Sequence, residues 1–495
     1  MKKQNGFASG IGFIMAAAGS AIGLGNLWAF PYKTYANGGA AFVLIYIACV
    51  LFIGIITMIC EIFIGRRAQA NPVTAFKSIS PKIGWFGVLA LIIPAVIACY
   101  YAVLGGYTLR FAVNSPMGNA GSFTAFAGTE WKVILYSALF IGLAVLVVMA
   151  GVKGGIEKAS KVLMPILFII LVGTVVFSLC LGEGVKEGLS FYLKPDFSKL
   201  SGTGFLAAMG QAFYSLSLGM GAMIAYGSYT GKKINILKCT GMICIFDTLV
   251  ALLAGFAIFP ALFHYSNHFE AKEIQGVSLM FETLPLVFED LGVAGKIISV
   301  FFFAMVSIAA VTSIISLLEV VSQFIIQKFG VSRKKTVVFF AMVCLAASIP
   351  IGVSLGQALN QQEGITLFGE NLLDFLDILA NTVLMPVCAL FGCICVGWLM
   401  GPKKALAEMK KDGQRFGFFA PVFSVMVRYV TPVLILLIEV FGVVDLIFPA
   451  KDGARHFSYN GLGIVLTAYG ILALGIVVYF AFFQKKNTGC NADEE

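Results

Sequence analysis

Apolar runs long enough to cross a bilayer recur from one end of this sequence to the other, and nothing else in it constrains the fold so much. A helix of about 20 residues spans roughly 30 Å of hydrocarbon. Runs of that length centre on 11–34, 40–64, 84–108, 133–151, 162–182, 204–228, 239–263, 294–326, 335–353, 373–399, 421–447 and 461–483. They are continuously apolar and far longer than the alternating segments of about ten residues in a membrane barrel. Only a helix satisfies its own backbone polar groups in lipid. The expectation is an all-α integral membrane protein with twelve transmembrane helices. Composition agrees: 12% of residues are charged, against roughly 25% in a soluble domain.

A net charge of +9 raises the question of a polyanionic partner, and its distribution answers it. Basic residues gather in alternate loops. These hold Lys2 and Lys3; Arg66, Arg67, Lys77 and Lys82; Lys153, Lys158 and Lys161; and Lys232, Lys233 and Lys238. The pattern continues with Lys328, Arg333, Lys334 and Lys335, then Lys403, Lys404, Lys410, Lys411, Arg415 and Arg428, then Lys485 and Lys486. In the twelve-span reading all of them fall on one side. The positive-inside rule makes that side cytoplasmic, with both termini. The expected partner is a lipid bilayer, not nucleic acid.

The opening MKK with AAAGSA resembles a cleaved signal peptide, but the apolar stretch carries Gly10, Gly12, Gly19 and Gly23 and runs on into NLWAFPY. We expect it to be retained as the first span. The eleven cysteines form no CxxC pair and fall almost entirely inside apolar spans, as packing residues do. His264, His268 and His456 stand at or beyond span ends. No cluster of nucleophile, base or metal ligands is visible, so the expectation is that the chain is not an enzyme.

Two spans carry glycine pairs near mid-depth: Gly23 and Gly25 in IGLGN, and Gly219 and Gly221 in LSLGMGA. They stand five spans apart, so a second group of five starts from the opposite side of the membrane, as in an inverted-topology repeat. Interrupted segments at corresponding places of two such halves point to the binding site of a transporter. Close helix packing uses the same small residues, and glycine alone does not separate the two readings. The polar neighbours favour the break. Ser20 and Asn26 flank the first pair and Ser215 and Ser217 precede the second, at depths where lipid favours apolar side chains. A broken helix frees carbonyls at one half's end and N–H groups at the next half's start. The carbonyls attract cations, and the N–H groups near Leu24 and Gly25 suit a carboxylate. An amine would then face Ala21, Tyr214 and Ser215, completing a site for a zwitterion.

Further motifs surround the breaks: ANGGAAF at 36–42, the pair Tyr100 and Tyr101, GIEKASKVLMP at 155–165, LKPDFSKL, VTS at 311–313 and VRYVTP at 427–432. With AGSAIGLGN and FYSLSLGMGA, and in this order along nearly the whole chain, they resemble the neurotransmitter:sodium symporter family, whose fold is the LeuT type. The bacterial amino-acid members are the nearest in pattern. The resemblance implies a 5+5 inverted repeat with helices 1 and 6 broken. The first repeat with its outer loops would occupy 1–200 and the second 201–400. Helices eleven and twelve and a cytoplasmic tail would fill 401–495. The expected location is a bacterial-type plasma (inner) membrane.

Carried over residue by residue, the resemblance implies two sodium ions. One would be held by the Ala21 carbonyl, the Asn26 amide oxygen, Ser215 and Asp247, with the substrate carboxylate completing the shell. The other would take the carbonyls of Gly19, Ile22 and Ala309 and the hydroxyls of Thr312 and Ser313. Hard oxygen ligands suit an alkali cation. On the sequence alone, Thr312 and Ser313 read equally as hydroxyls bonding back to the preceding helical turn. The substrate would meet Ser20, Ala21, Leu24, Gly25, Ile97, Tyr101, Tyr214, Ser215, Ser217, Met220, Ser313 and Leu317. Tyr101 resembles the family tyrosine that fixes a carboxylate; as an interhelical packing aromatic it has a second reading.

The departures from the family pattern carry information of their own. Asp247 stands where many relatives have asparagine, and Ala251 where they have a chloride-binding serine. A carboxylate beside the first sodium supplies the negative charge that chloride supplies elsewhere, and acids within the membrane are costly enough to suggest a role. We therefore expect chloride independence. Asp247 is either a sodium ligand alone or also a carrier of an antiported proton. Gly23 occupies the position of the aspartate in monoamine carriers, which points to a substrate with its own carboxylate. The pocket has no countercharge and has the adaptable Met220, which favours a hydrophobic or aromatic L-amino acid.

The gates differ most. The arginine of the usual WRFPY is Ala29, while its partner aspartate remains as Asp377, with Asp374 one turn earlier. The outer gate must then rest on Tyr101 and Tyr214, or Lys33 reaches in. At the inner gate beside Phe7, the usual arginine and aspartate are Gln4 and Gln327. Losing an exposed pair weakens the inward-closed state by about 1 kcal/mol, which favours inward opening.

The expected function is sodium-coupled import of an L-amino acid by alternating access, by a monomer or weak homodimer. A proton-coupled amino acid transporter of the same fold is the alternative. A channel predicts uninterrupted pore polarity, which the paired breaks contradict.

Overall fold

The computed structural model describes residues 6–114, 123–182, 184–264, 279–413, 417–451 and 454–483. Lys2, Lys3, Gln4, His268, Arg415, Lys485 and Lys486 lie outside the described residues. The apolar runs are helices. They are α1 (Gly10–Ala21 and Gly25–Ala36), α2 (Ala40–Ala68), α3 (Pro81–Asn114), α4 (Glu130–Met149) and α5 (Val152–Leu179). Then come α6 (Gly202–Ser215 and Ala222–Ser228), α7 (Ile236–His264), α8 (Gly292–Phe329), α9 (Arg333–Leu359), α10 (Leu372–Leu399), α11 (Phe419–Ile447) and α12 (Tyr459–Ala481).

Ten continuous helices among the described residues are long and apolar enough to cross a membrane, and the two halves of α1, bent by 51°, make an eleventh. By length and hydropathy, eleven of the twelve spans read from the sequence qualify among the described residues. The remaining segment, α6, is split into halves of 14 and 7 residues, each too short to span alone. A second difference lies in α5, expected from residue 162 but helical from Val152. Lys153, Glu157, Lys158 and Lys161 lower the hydropathy of its first turns. Glu157 is nevertheless buried and paired with Lys161 at 2.6 Å, so the polar turns stay in the helix. Two hairpins of two-residue strands, at 366–371 and 450–455, are the β structure among the described residues.

Burial separates the centre of the bundle from its rim. In the apolar stretches of α3 and α8, 72% and 67% of residues are buried, against 22% in α11 and 28% in α12. The most extensive helix contact is α8 along α3, and the first half of α1 packs on α5, α7 and α8. On the rim, α4 exposes Leu135, Leu139, Leu143 and Leu146 along one stripe, a surface that suits lipid rather than water.

The start of α1 is fastened at several points. Ser9 caps it, its hydroxyl accepting from Gly12 N at 3.0 Å. The Glu157 carboxylate on α5 accepts from Ala8 N at 2.7 Å and Ser9 Oγ at 3.1 Å. Phe7 N donates to the Tyr229 carbonyl at 3.1 Å, and the Phe7 ring packs edge-on against Tyr226 and Tyr229.

Candidate binding site at the paired helix breaks

The break in α6 is built from residues that leave helical geometry. Ser217, Gly219 and Gly221 have φ of 52°, 77° and 70°, a left-handed region that glycine enters freely and serine at a cost. A Cβ on Gly221 would stand 2.5 Å from the Ala90 carbonyl, so the chain there approaches α3 as only glycine permits. The Gly219 N–H, freed by the break, donates to Glu61 Oε1 on α2 at 2.7 Å. In α1 the glycines serve close approach instead. A Cβ on Gly23 would lie 2.5 Å from Ser313 Oγ and 2.8 Å from Tyr101 Oη, and one on Gly25 would lie 3.1 Å from the Tyr214 ring.

Hydrogen bonds join the two breaks to each other and to α8. Ser217 Oγ donates to the Ser20 carbonyl at 2.9 Å, and Ser313 Oγ lies 3.3 Å from the same carbonyl and 3.4 Å from that of Ile22. Leu24 N donates to Tyr101 Oη at 3.1 Å, so the freed N–H and the tyrosine hydroxyl meet at one point. Gln211 Nε2 donates to the Gly25 carbonyl at 2.8 Å.

Asn26, Ser215 and Asp247 converge from α1, α6 and α7, all fully buried. Asn26 Nδ2 donates to Ser215 Oγ at 2.9 Å and to Asp247 Oδ1 at 2.9 Å, and Ser215 Oγ donates to Asp247 Oδ2 at 2.6 Å. Tyr46 on α2 closes the cluster, with its hydroxyl 3.1 Å from Ser215 Oγ. Ala21 lines the neighbouring cavity. The other oxygens assigned to a cation lie on α1 and α8. Thr312 Oγ1 donates back to the carbonyls of Ile308 at 3.1 Å and Ala309 at 3.0 Å, the back-bonding that its place in an apolar helix suggested. A Cβ on Gly19 would be 3.3 Å from Thr312 Cβ, so these groups also share one locality.

A cavity of about 30 Å³ lies between the breaks. Of the pocket residues expected from the sequence, all but Leu24 and Ser215 line it, and Gly23 and Ser316 join them. That volume holds about two water-sized groups, so an amino acid enters only as the walls move apart. Tyr214 lines both this cavity and a larger one, of about 380 Å³, that also touches Trp28, Ala29, Lys33 and Asp377. It is the residue the two linings share. Lys33 Nζ lies 5.7 Å from the centroid of the Tyr214 ring, within cation–π range. Asp377 accepts from Asn381 Nδ2 at 2.5 Å and, among the described residues, makes no ion pair with Lys33. Where Ala29 replaces the arginine, Lys33 therefore reaches over Tyr214 rather than pairing with Asp377.

The sequence model of the sodium:neurotransmitter symporter family matches residues 4–120 and 117–487. The chain belongs to that family. It is accordingly a multi-pass membrane protein and a sodium-dependent symporter, a transporter rather than an enzyme. An uncharacterized sodium-dependent transporter of Haemophilus influenzae is 33% identical over 88% of this chain and 98% of its own length. The uncharacterized sodium-dependent transporter YhdH of Bacillus subtilis is 34% identical over 87% of this chain and 96% of its own. The crystal structure of MhsT in complex with L-phenylalanine superposes with a TM-score of 0.81 at 34% identity, over 89% of this chain and all of that one. The shared architecture is the LeuT type, with its broken first and sixth helices.

Ser316, Glu61, Glu319 and Tyr229 were not singled out in the sequence. Ser316 sits among apolar residues of α8 and reads as one more helix hydroxyl. Glu61 is a lone acid in an apolar run, a signal that could have been taken up. Gln327, read as half of a lost ion pair, accepts from Asn71 N at 2.8 Å and Asn71 Nδ2 at 2.7 Å. At the same end of the bundle Glu319 and Arg333 form an ion pair, and Tyr229 Oη donates to Glu319 at 2.6 Å.

Proposed function

We propose that this chain imports a neutral L-amino acid with sodium by alternating access, the substrate lying between the two breaks. One observation carries the reading: the cavity is bounded by both breaks, with Tyr101 Oη and the freed Leu24 N–H paired at its edge. A carboxylate bound there would take both as donors, the arrangement that suits an anionic group at a helix start. The amine would face the freed carbonyls. The binding of L-phenylalanine by MhsT supports an amino acid as the substrate, and the apolar walls of Ile97, Met220 and Leu317 support a hydrophobic or aromatic one.

In this reading the first sodium is held by Ala21, Asn26, Ser215 and Asp247, and the second by Gly19, Ile22, Ala309, Thr312 and Ser313. Asn26 now points its amide nitrogen at Ser215 and Asp247 and its oxygen at Gly23 N, 3.2 Å away. Binding a cation among these oxygens turns that amide over, so that sodium replaces the Nδ2 hydrogens as the positive partner of the carboxylate. Asp247 makes chloride unnecessary, and it is also the group on which an antiported proton would ride. The repeats are 1–200 and 201–400, the basic loops and both termini face the cytoplasm of a bacterial-type cell, and the working unit is a monomer or weak homodimer.

The test is uptake of each of the twenty labelled amino acids into proteoliposomes under an inward sodium gradient. Neutral hydrophobic or aromatic amino acids are expected to accumulate. Uptake that persists in choline and follows a proton gradient would overturn sodium coupling in favour of the proton-coupled alternative.

A further inference from the structure

Four serines, Ser20, Ser217, Ser313 and Ser316, line the cavity, and their hydrogen bonds run in one direction. Ser20 Oγ donates to Ser316 Oγ at 2.7 Å, and Ser316 Oγ donates to the Ser313 carbonyl at 2.8 Å. Ser217 and Ser313 direct their hydroxyl hydrogens at the Ser20 carbonyl. All four hydrogens are thus committed within the protein, and what remains toward the cavity is acceptor capacity. A hydroxyl has two acceptor lone pairs. Among the described residues Ser20 Oγ accepts from nothing and Ser316 Oγ from Ser20 alone. Ser316 stands one turn along α8 from Ser313, the residue that a Gly23 side chain would strike. It lines the cavity beside Leu317, one turn away from the point where Ser313 and Tyr101 meet.

We infer that the Ser20–Ser316 pair selects a substrate whose side chain has an apolar body and a hydrogen-bond donor at its tip, a phenol or indole in preference to a bare phenyl. This rests on the amino-acid reading above and narrows it. Ile97, Met220 and Leu317 take the body, Met220 through the sulfur–aromatic contact its thioether allows. The donor at the tip meets an oxygen that is buried and short of donors. A phenyl tip breaks nothing, because the two serines satisfy each other, so the discrimination is graded rather than absolute. One neutral hydrogen bond corresponds to about 3- to 10-fold in affinity. Among the described residues no charged side chain lines this cavity, which disfavours cationic and anionic tips.

The experiment is competition against labelled L-tyrosine on the full-length protein in sodium, using unlabelled tyrosine and phenylalanine, and tryptophan and its benzothienyl isostere, which lacks the N–H. The expected result is that tyrosine and tryptophan bind about 3- to 10-fold tighter than their partners, and that Ser316→Ala brings both ratios to within about twofold. Ser20→Ala reads the same ratios from the other hydroxyl, should the first variant not fold. A ratio is the readout because a general loss of affinity does not move it. Phenylalanine binding as tightly as tyrosine in the wild type, or ratios that survive both substitutions, overturn the inference and leave the amino-acid reading standing. If none of the twenty amino acids binds in sodium by thermal shift, both fall together.

Discussion

An Asp247→Asn substitution removes one formal charge while keeping the size of the side chain and one acceptor oxygen. The carboxylate lies 2.9 Å from Asn26 Nδ2 and 2.6 Å from Ser215 Oγ, so a cation held by those residues sits within about 4 Å of it. Two unit charges at that distance attract by about 4 kcal/mol at an effective dielectric constant of 20. Losing the charge also releases the cost of burying it, which offsets part of that attraction. A net loss of roughly 2 kcal/mol raises the half-saturating sodium concentration about 30-fold.

The assay is sodium titration of labelled amino-acid binding to the full-length protein, in chloride and again in gluconate. The wild type should give the same curve in both salts. Because Ala251 offers no hydroxyl, chloride should not rescue the variant, whereas adding Ala251→Ser to Asp247→Asn should restore binding in chloride alone. A variant whose sodium curve lies within about threefold of the wild type would refute the placement of Asp247 beside a sodium ion. A wild type that needs chloride would refute the charge-replacement argument.

Two further substitutions probe the supports of the site. Glu61→Ala leaves the buried Gly219 N–H without its acceptor at a cost of about 1–3 kcal/mol, and should lower the melting temperature and uptake more than Glu61→Gln, which keeps a carbonyl oxygen. Arg333→Ala leaves Glu319 buried without its cation, a loss of about 3 kcal/mol. It should expose a cysteine placed near Phe7 to labelling in sodium-free buffer, and adding Glu319→Gln should reverse much of both effects.

How much of this was legible in the sequence follows from which forces act locally. Span positions were, because lipid imposes apolar length on each helix separately; the start of α5 was not, because Glu157 is accommodated by residues 8 and 9, far away in the chain, as well as by the nearby Lys161. The broken helices were readable through Gly23, Gly25, Gly219 and Gly221 with polar residues beside them. Their cost was not: Ser217 takes a left-handed backbone that no spacing foretells. The ion pair of Glu319 with Arg333 crosses a helix end and a turn, so it exists only once α8 and α9 have packed. Lys33 was named as one of two ways to close over the pocket, and only the packing of its ammonium on Tyr214 decides where it goes.

The Ser20 carbonyl is where these strands of argument meet. It receives Ser217 from the break in α6 and Ser313 from α8, so one freed oxygen of α1 holds three helices in register. Of the two proposed sodium sites, the first draws its ligands from α1, α6 and α7, while the second bridges α1 to α8. Only the second crosses the surface between the broken helices and α8. A cation at the proposed second site would oppose any motion that parts α1 from α8, whereas one at the proposed first site would order the breaks and, through the substrate carboxylate, the substrate itself. Ligands shift a conformational equilibrium only by their differential affinity for its states. In the proposed scheme the second ion would govern which way the breaks open, and the first whether a substrate is held when they do.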